Sequence, residues 1–150
     1  MNKPASLRAH LLANISHLKR NPDSLLIYID AGKLSTYLQT NLNFNYQYNL
    51  QVIVTDFSEH PNAIIVPLLA WLRLNQIDLK TEDIKFEADI ISNDKIDLEI
   101  SFPLNECVLV SQDSEGRYST EHLSEPVPDH NLLEPDPYKE LFPVASSTSD

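Results

Sequence analysis

The chain of 150 residues is long enough for one folded domain, and its 42% hydrophobic residues can supply a core without metals or disulfides. Its formal net charge of -11 disfavours general binding to nucleic acid or to anionic membranes, because both need a basic surface. A single cysteine excludes an intrachain disulfide, and no apolar run is long enough to span a bilayer. We therefore expect a protein made in a reducing cytoplasm, with proteins or cations as partners.

The first predicted element is an amphipathic helix over residues 3 to 20, which Asn21-Pro22 ends. Its apolar side chains recur at helical spacing: Leu7, Leu11, Ile15 and Leu18. Residues 1 to 22 contain no acid and four cations: Lys3, Arg8, Lys19 and Arg20. In a chain this acidic, the asymmetry suggests a contact surface, although it is also typical of a solvated helix whose last turn favours cations.

A predicted hairpin follows the helix. Residues 24 to 30 are mostly apolar, and we expect Ala31-Gly32-Lys33 to turn the chain into a second strand over residues 34 to 39. Residues 41 to 56 alternate strictly between apolar and polar positions, which predicts a third strand roughly twice the usual length of ~17–20 Å. The polar positions of that strand hold amides instead of charges: Asn43, Asn45, Gln47, Asn49 and Gln51.

The second predicted helix contains an apolar run from Ala63 to Leu72, which must be covered on most sides because an ordinary surface helix exposes a polar face. Pro67 predicts a break or kink near Val66, with a regular helix after it. His60 is expected to cap this helix. The only tryptophan, Trp71, has two interpretations, an anchor in a protein interface or a core residue.

The second predicted hairpin joins strands over residues 84 to 90 and 96 to 104. Shorter elements follow: a strand at Val108 and Val110, a turn at Asp113 to Arg117, and an edge strand over residues 118 to 122. The polar positions of the hairpin hold four acids: Glu87, Asp89, Asp97 and Glu99. In any register, acids face acids across this hairpin, which lowers stability unless a cation lies close to them.

Together these elements predict an α+β domain over residues 1 to 123. Its antiparallel β-sheet should have about seven strands, with two helices packed on one face. Residues 124 to 150 are rich in proline, serine and acids, and we expect them to form an extended or disordered tail.

Catalytic chemistry has little support in the sequence. With glycine only at positions 32 and 116, the chain cannot form a glycine-rich phosphate loop, a dinucleotide-binding turn or a nucleophile elbow. No histidine has a partner at metal-ligand spacing, and Cys107 is expected to be a small buried apolar residue. We therefore expect no catalytic residue, no metal and no cofactor.

Four segments carry a family resemblance: MNKPASLRAHLLANISHLKRNP, FNYQYNLQVIVTDFSEHPNAIIVPLLAWLRLNQ, FEADIISNDKIDLEI and EHLSEP. Together they resemble the tail completion protein R family of P2-like contractile-tailed bacteriophages and their prophages, over residues 1 to 126. The region from Val54 to Arg73 carries most of the specificity.

The resemblance implies a non-catalytic virion protein that is assembled in the host cytoplasm. It would complete or terminate the tail at its head-proximal end, so that the tail can join a filled head. By analogy with tail terminators, the subunits would close into a ring, a hexamer, that matches the tail tube. The implied partners are further copies of the chain, the tail tube and sheath proteins, and the head-neck connector proteins, with neither nucleic acid nor membrane among them.

A ring would explain the long strand, which can extend past its own core to pair with, or pack against, a neighbouring subunit. Amides lose less on desolvation than charges do, so we expect the amides and Trp71 at the oligomer interface. We expect a charged interface where the first helix meets the acidic hairpin of a neighbour: Arg8, Lys19, Arg20, Glu87, Asp89, Asp97 and Glu99. The alternative is a long twisted strand with a solvated polar face.

Two hypotheses from other classes stay open. A monomeric adaptor that binds a partner through residues 124 to 150 would be recognised by tight binding of that isolated segment. A metal-dependent hydrolase would require the four acids of the second hairpin to converge in a cleft.

Overall fold

The structure of the protein is a computed structural model that describes residues 1–124. Within these residues it contains three α-helices and five β-strands: α1 Lys3–Asn14, α2 Ser16–Arg20, β1 Leu25–Thr36, β2 Phe44–Phe57, α3 Asn62–Asn75, β3 Lys85–Ser92, β4 Lys95–Gln112 and β5 Tyr118–His122. Short 3-10 helices lie at Pro22–Ser24 and Thr81–Asp83. None of the described helices is long and apolar enough to cross a bilayer. The expected C-terminal tail lies outside the described residues, apart from Ser124.

The strands form one antiparallel sheet with the order β1-β2-β4-β3, and β5 also pairs with β4. The central strands are β2 and β4, whose register runs from Phe44 opposite Val108 to Phe57 opposite Ile96. On the other side of β4, β3 pairs with its first half and β5 with its last residues, since Val108 also lies opposite His122. The predicted α+β class with an antiparallel sheet is confirmed.

The helices cover one face of this sheet, and the core lies between the two layers. Successive residues of a strand point to opposite faces, so the alternating sequences of β2 and β4 bury one side only. Six strand residues of the core cluster are at most 1% exposed: Leu50, Val52, Val54, Phe57, Ile100 and Phe102. They share one cluster with Leu7, Leu11 and Leu68 of the helices. Complete burial of such a side chain contributes about 1.5–3 kcal/mol.

The described sheet has five strands instead of the expected seven, because two predicted breaks are not turns. The chain does not reverse at Ala31-Gly32-Lys33, and β1 is one strand of 12 residues. Its register with β2 shifts between Asp30 and Lys33, where one extra residue forms a β-bulge and Ala31 adopts a φ of 53°. β4 likewise continues through Glu106, whose carboxylate occupies an inward position where the alternation calls for an apolar residue.

The first predicted helix is interrupted at Ile15, where the backbone is extended with φ -119° and ψ 108°. Asn14 ends α1, and its Nδ2 donates to the carbonyl oxygen of His10 at 2.8 Å. After α2 and Asn21, the chain passes through the short 3-10 helix into β1. With the helix interrupted in this way, the side chains of Ile15 and Leu18 are both buried in the core.

The second predicted helix, α3, runs continuously through Pro67, so the expected break near Val66 is absent. Pro67 removes one helical hydrogen bond, but Ile64 before it and Leu68 after it are both buried in the core, and this packing holds the two halves in line. The N-cap of α3 is Pro61 instead of the predicted His60, but His60 Nδ1, one residue earlier, accepts the backbone N–H of Asn62 at 3.1 Å.

The β-bulge provides a test of the strand assignment. We expect Ala31→Gly to leave the free energy of unfolding unchanged or to raise it by up to about 1 kcal/mol, because glycine adopts a positive φ without a steric cost. Ala70→Gly, at an exposed position of helix α3, is the control and should lower it by about 0.5–1 kcal/mol. Urea unfolding followed by circular dichroism measures both, and equal losses would contradict the left-handed Ala31.

Candidate functional site

The five amides of the long strand form a row, called the amide row, on the face of the sheet that points away from the helices: Asn43, Asn45, Gln47, Asn49 and Gln51. Its members are half-buried or buried, and they alternate along β2 with the core residues. Each lies between two cross-strand neighbours: Asn45 between Ser35 and Cys107, Gln47 between Lys33 and Asn105, Asn49 between Asp30 and Pro103, and Gln51 between Tyr28 and Ser101. Within residues 1–124, Gln47 alone of these four has a side-chain hydrogen bond, accepted from Ser35 Oγ at 3.5 Å. The row therefore has amide groups available to a partner.

Asn43, the first of the predicted interface amides, has a structural role instead. It precedes β2, and its Oδ1 accepts the backbone N–H of Val110 at 2.8 Å. The backbone of β2 is paired with β1 on one side and with β4 on the other. Pairing of this long strand with a neighbouring subunit is therefore excluded by the fold, whereas packing through its amide face is not.

The acids of the second hairpin form a ladder of like charges. Glu87 lies directly opposite Glu99, and Asp89 lies directly opposite Asp97, so the prediction that acids face acids is confirmed. The four side chains line a shallow hollow on the same face as the amide row. Asp97 is fixed there because its Oδ1 accepts the backbone N–H of Asp56 at 2.9 Å.

This ladder does not form a metal site in the part of the chain that the structure describes. No group of three or more His, Cys, Asp or Glu side chains in residues 1–124 is arranged to hold a metal ion, which leaves the hydrolase hypothesis without support there. His10 Nε2 lies 2.9 Å from the carbonyl oxygen of Pro67, and the His17 ring packs edge-on against Phe57 at 5.1 Å. Cys107 is exposed, so its predicted burial is wrong; it lies on the outward face of β4.

The cations of the first helix divide into two groups. Arg8 is held within the subunit, where Nη1 donates to the carbonyl oxygen of Leu25 at 3.1 Å and Nη2 to that of Pro22 at 3.5 Å. Lys19 and Arg20, at the end of α2, are exposed. No ion pair joins either of them to the acidic ladder within residues 1–124. The structure thus gives Arg8 an internal contact and leaves Lys19 and Arg20 as the surface cations.

Trp71 lies in the core, between α1 and α3. Its side chain is 3% exposed, and its Nε1–H donates to Ser6 Oγ at 3.0 Å. Of the two interpretations of Trp71, the structure therefore favours the core residue, because almost none of the ring is exposed to anchor an oligomer interface.

Glu106 is a buried acid with a structural role that the sequence pattern does not identify. It is 5% exposed on the helix-facing side of β4. Its Oε1 accepts the N–H of Asn2 at 2.7 Å, and its Oε2 accepts the N–H of Lys3 at 3.3 Å and the hydroxyl of Tyr48 at 2.6 Å. His122 Nδ1 lies 3.5 Å from Oε1. Because α1 has no side-chain cap of its own, Glu106 supplies one from the sheet and fixes the helix to it.

The electrostatics of this cluster define which group carries the proton. Burial alone would raise the pKa of Glu106, but the hydrogen bonds from Tyr48, Asn2 and Lys3 and the charge of the N-terminus outweigh it and lower that pKa. Burial first, and then the hydrogen bond to Glu106 and its charge, raise the pKa of Tyr48. At neutral pH the carboxylate is therefore ionised and the phenol protonated. The only signal in the sequence is an acid at an inward position of an alternating strand.

The cap can be tested by Glu106→Gln, which should lower the free energy of unfolding by about 2 kcal/mol at neutral pH because a charged acceptor becomes a neutral amide. The pKa of Glu106 is lowered in the folded state, so its contribution to stability is present above the ordinary carboxyl pKa and is lost as the pH falls from there through the lower folded-state pKa. Urea unfolding at several pH values should show the difference between wild type and variant shrinking on acidification.

Glu121→Gln, on the exposed strand β5, is the matched control for this change and should have a much smaller effect at neutral pH. A difference between wild type and Glu106→Gln that does not change with pH would contradict the role of the carboxylate as a charged cap.

The acidic ladder can be tested by Glu87→Lys, which places a cation directly opposite Glu99. We expect the subunit to become more stable by about 0.2–1 kcal/mol, because a like-charge pair becomes an opposite-charge pair. The gain should diminish with added salt, as measured by thermal unfolding at low and high ionic strength. Glu82→Lys is the control at an exposed position outside the hairpin. An equal gain in stability from Glu82→Lys would show that the effect of Glu87→Lys comes from the change in net charge and not from the pair with Glu99.

The comparisons with known proteins agree with the resemblance. A model of the P2 phage tail completion protein R (GpR) family matches residues 1–126. The tail completion protein R of Escherichia phage P2 is 41% identical over 141 residues, which cover 90% of this chain and 90% of the phage protein. This coverage exceeds that of the family model, so the similarity continues into the C-terminal segment. No solved structure matches the chain. The chain belongs to the P2 phage tail completion protein R family and is a structural protein of a phage tail.

Proposed function

We propose that this protein completes the tail at its head-proximal end, as a sixfold ring that terminates the tail tube and allows the tail to join a filled head. The family match over residues 1–126 carries this proposal. In this proposal the protein is part of the virion, with the tail tube and sheath proteins on one side of the ring and the head-neck connector proteins on the other.

The outward face of the sheet supports the proposal as a packing surface. Along β2 this face presents amides, and a neighbour can cover amides at a smaller desolvation cost than charges. Asn45, Gln47, Asn49 and Gln51 occupy successive outward positions of β2, and Lys33 and Asn105 lie on either side of Gln47. We therefore keep these four amides in the proposed interface and leave out Asn43 and Trp71, whose side chains form hydrogen bonds within the subunit.

The charged surfaces would direct assembly more than strengthen it. Lys19 and Arg20 lie on the helical layer, whereas Glu87, Asp89, Asp97 and Glu99 lie on the opposite face of the sheet, so a contact between them needs a second subunit or an adjoining ring of the tail. Single exposed ion pairs contribute only about 0.2–1 kcal/mol each, and salt screens them. Arg8 is left out of this surface because its guanidinium holds the chain at Leu25 and Pro22.

The proposed function can be tested with tails from a phage whose own copy of the gene is inactivated. Added protein should bind one end of these tails, and cryo-electron microscopy should show a ring of density at the end that joins the head. Head attachment in a mixture of tails and filled heads should then be restored. A protein that neither binds the tails nor changes head attachment would overturn the proposal, and a monomer that binds only through residues 124 to 150 would favour the adaptor.

The interface can be tested by the double variant Asn45→Lys, Gln47→Lys, which adds two charges to the amide face. We expect assembly, measured by mass photometry with and without tails, to weaken while circular dichroism shows a folded subunit. Ala9→Lys with Ala13→Lys is the matched control, because it adds the same charge at exposed positions of α1. Equal loss of assembly in both double variants would show a general effect of charge and remove the amide face from the interface.

A further inference from the structure

The sheet has two outer edges within residues 1–124: β1 forms one, and β3 and β5 form the other along β4. Among the described strands none pairs with the outer side of β1 or β3, although Arg8 Nη1 donates to the carbonyl oxygen of Leu25 at the start of β1. All eight residues of β3 are exposed. Its register with β4 is regular from Lys85 to Ile90, without a bulge or a proline in that stretch. Proteins usually protect an edge of this kind with bulges, prolines or a covering element, because an open edge is a template for another strand.

The side chains of β3 also lack a cover on the apolar side. Phe86 lies opposite Ile100, and Ile90 lies opposite Ile96, so both point to the face on which the helices pack. Ile100 is buried, but Phe86 opposite it is 69% exposed, and Ile90 is 80% exposed. The helical layer therefore ends before β3, and the apolar face of this strand continues beyond it.

The opposite edge of the sheet can receive such a strand. β1 runs antiparallel to β2, β2 to β4, and β4 to β3, so β1 and β3 point in opposite directions. If β3 of one subunit is placed beside β1 of the next, the antiparallel pattern continues and both helical layers lie on the same side. β1 also offers exposed apolar side chains on both faces: Leu34, at 63%, lies opposite Tyr46 on the helix-facing side, and Leu26, at 55%, lies opposite Ile53 on the outward side.

Charge distinguishes this arrangement from pairing between two β3 strands. On this face β3 carries two acids, Glu87 and Asp89, and one cation, Lys85, so it is net acidic. Two copies of β3 in contact would bring these net acidic faces together, each beside a ladder that is already acidic. The corresponding face of β1 carries Asp30 and the cation Lys33, with uncharged residues around them. A second copy is therefore better received through β1 than through β3.

We infer that β3 of one subunit pairs antiparallel with β1 of a second copy of this chain, with Phe86 and Ile90 covered in the contact. The inference rests on the self-association in the proposed function and names the surfaces that produce it. Because the two surfaces differ, a pair of subunits joined in this way keeps one free β1 and one free β3, and repetition of the contact gives a ring or a filament instead of a closed dimer.

Cross-linking between two different chains tests the pairing. Both chains carry Cys107→Ser to remove the native thiol; one carries Glu87→Cys on β3, and the other carries Leu26→Cys, Tyr28→Cys or Asp30→Cys on the same face of β1. With a short bismaleimide, the mixture should give a cross-linked product with at least one of the three β1 positions, and the Glu87→Cys chain alone should not. Cross-links between Glu87→Cys chains only would overturn the inference.

A second measurement separates the contact from the proposed function. Phe86→Lys and Ile90→Lys should each raise the dissociation constant of the oligomer roughly tenfold or more, whereas Leu69→Lys, an exposed apolar position on α3, should not. Circular dichroism confirms that each variant is folded. An oligomer on the tail that resists both β3 variants, and that gives no cross-link between β1 and β3, overturns this pairing and leaves the ring intact. A protein that is monomeric with and without tails overturns both.

Discussion

The pairing of β2 with β4 is the constraint on which the rest of the structure depends. These two strands keep one register from Phe44–Val108 to Val54–Leu98, and every other strand is attached to one of them. Because side chains alternate along both, one choice of register places the apolar residues under the helices and the amides on the other face. The open edges, the amide row and the acidic ladder are therefore consequences of a single long pairing.

Alternation in the sequence predicts most of this arrangement, since it determines which residues of a strand are buried together. It predicts the second hairpin and the facing acids, which the register of Glu87 with Glu99 confirms. It does not predict where a strand continues through an irregular residue. Ala31 takes a positive φ inside β1, and Glu106 places a charge inside β4, and both positions resemble breaks when the sequence is considered alone.

Contacts distant in sequence explain why the candidate site is less predictable than the fold. Composition identifies the cations of the first helix, but only the structure shows that Arg8 binds the carbonyls of Leu25 and Pro22 while Lys19 and Arg20 stay on the surface. Trp71 is similar: its partner Ser6 is 65 residues away, and a sequence pattern cannot distinguish a buried ring from an interface anchor. The unusual length of the amide strand predicts an interface along it. Because β2 lies between β1 and β4 in the sheet, such an interface can involve only its outward face.

The acidic ladder combines a cost within the subunit with a benefit in the proposed assembly. Like charges directly opposite each other destabilise a hairpin, so Glu87 and Asp89 weaken the attachment of β3 to β4. The same two acids repel a second β3, whose exposed Phe86 and Ile90 would otherwise pair with their own copies. Repulsion between identical edges leaves the other edge of the sheet as the acceptor, and a contact between two different edges can repeat around a ring. An acidic β3 therefore suits a subunit that must join others in one direction.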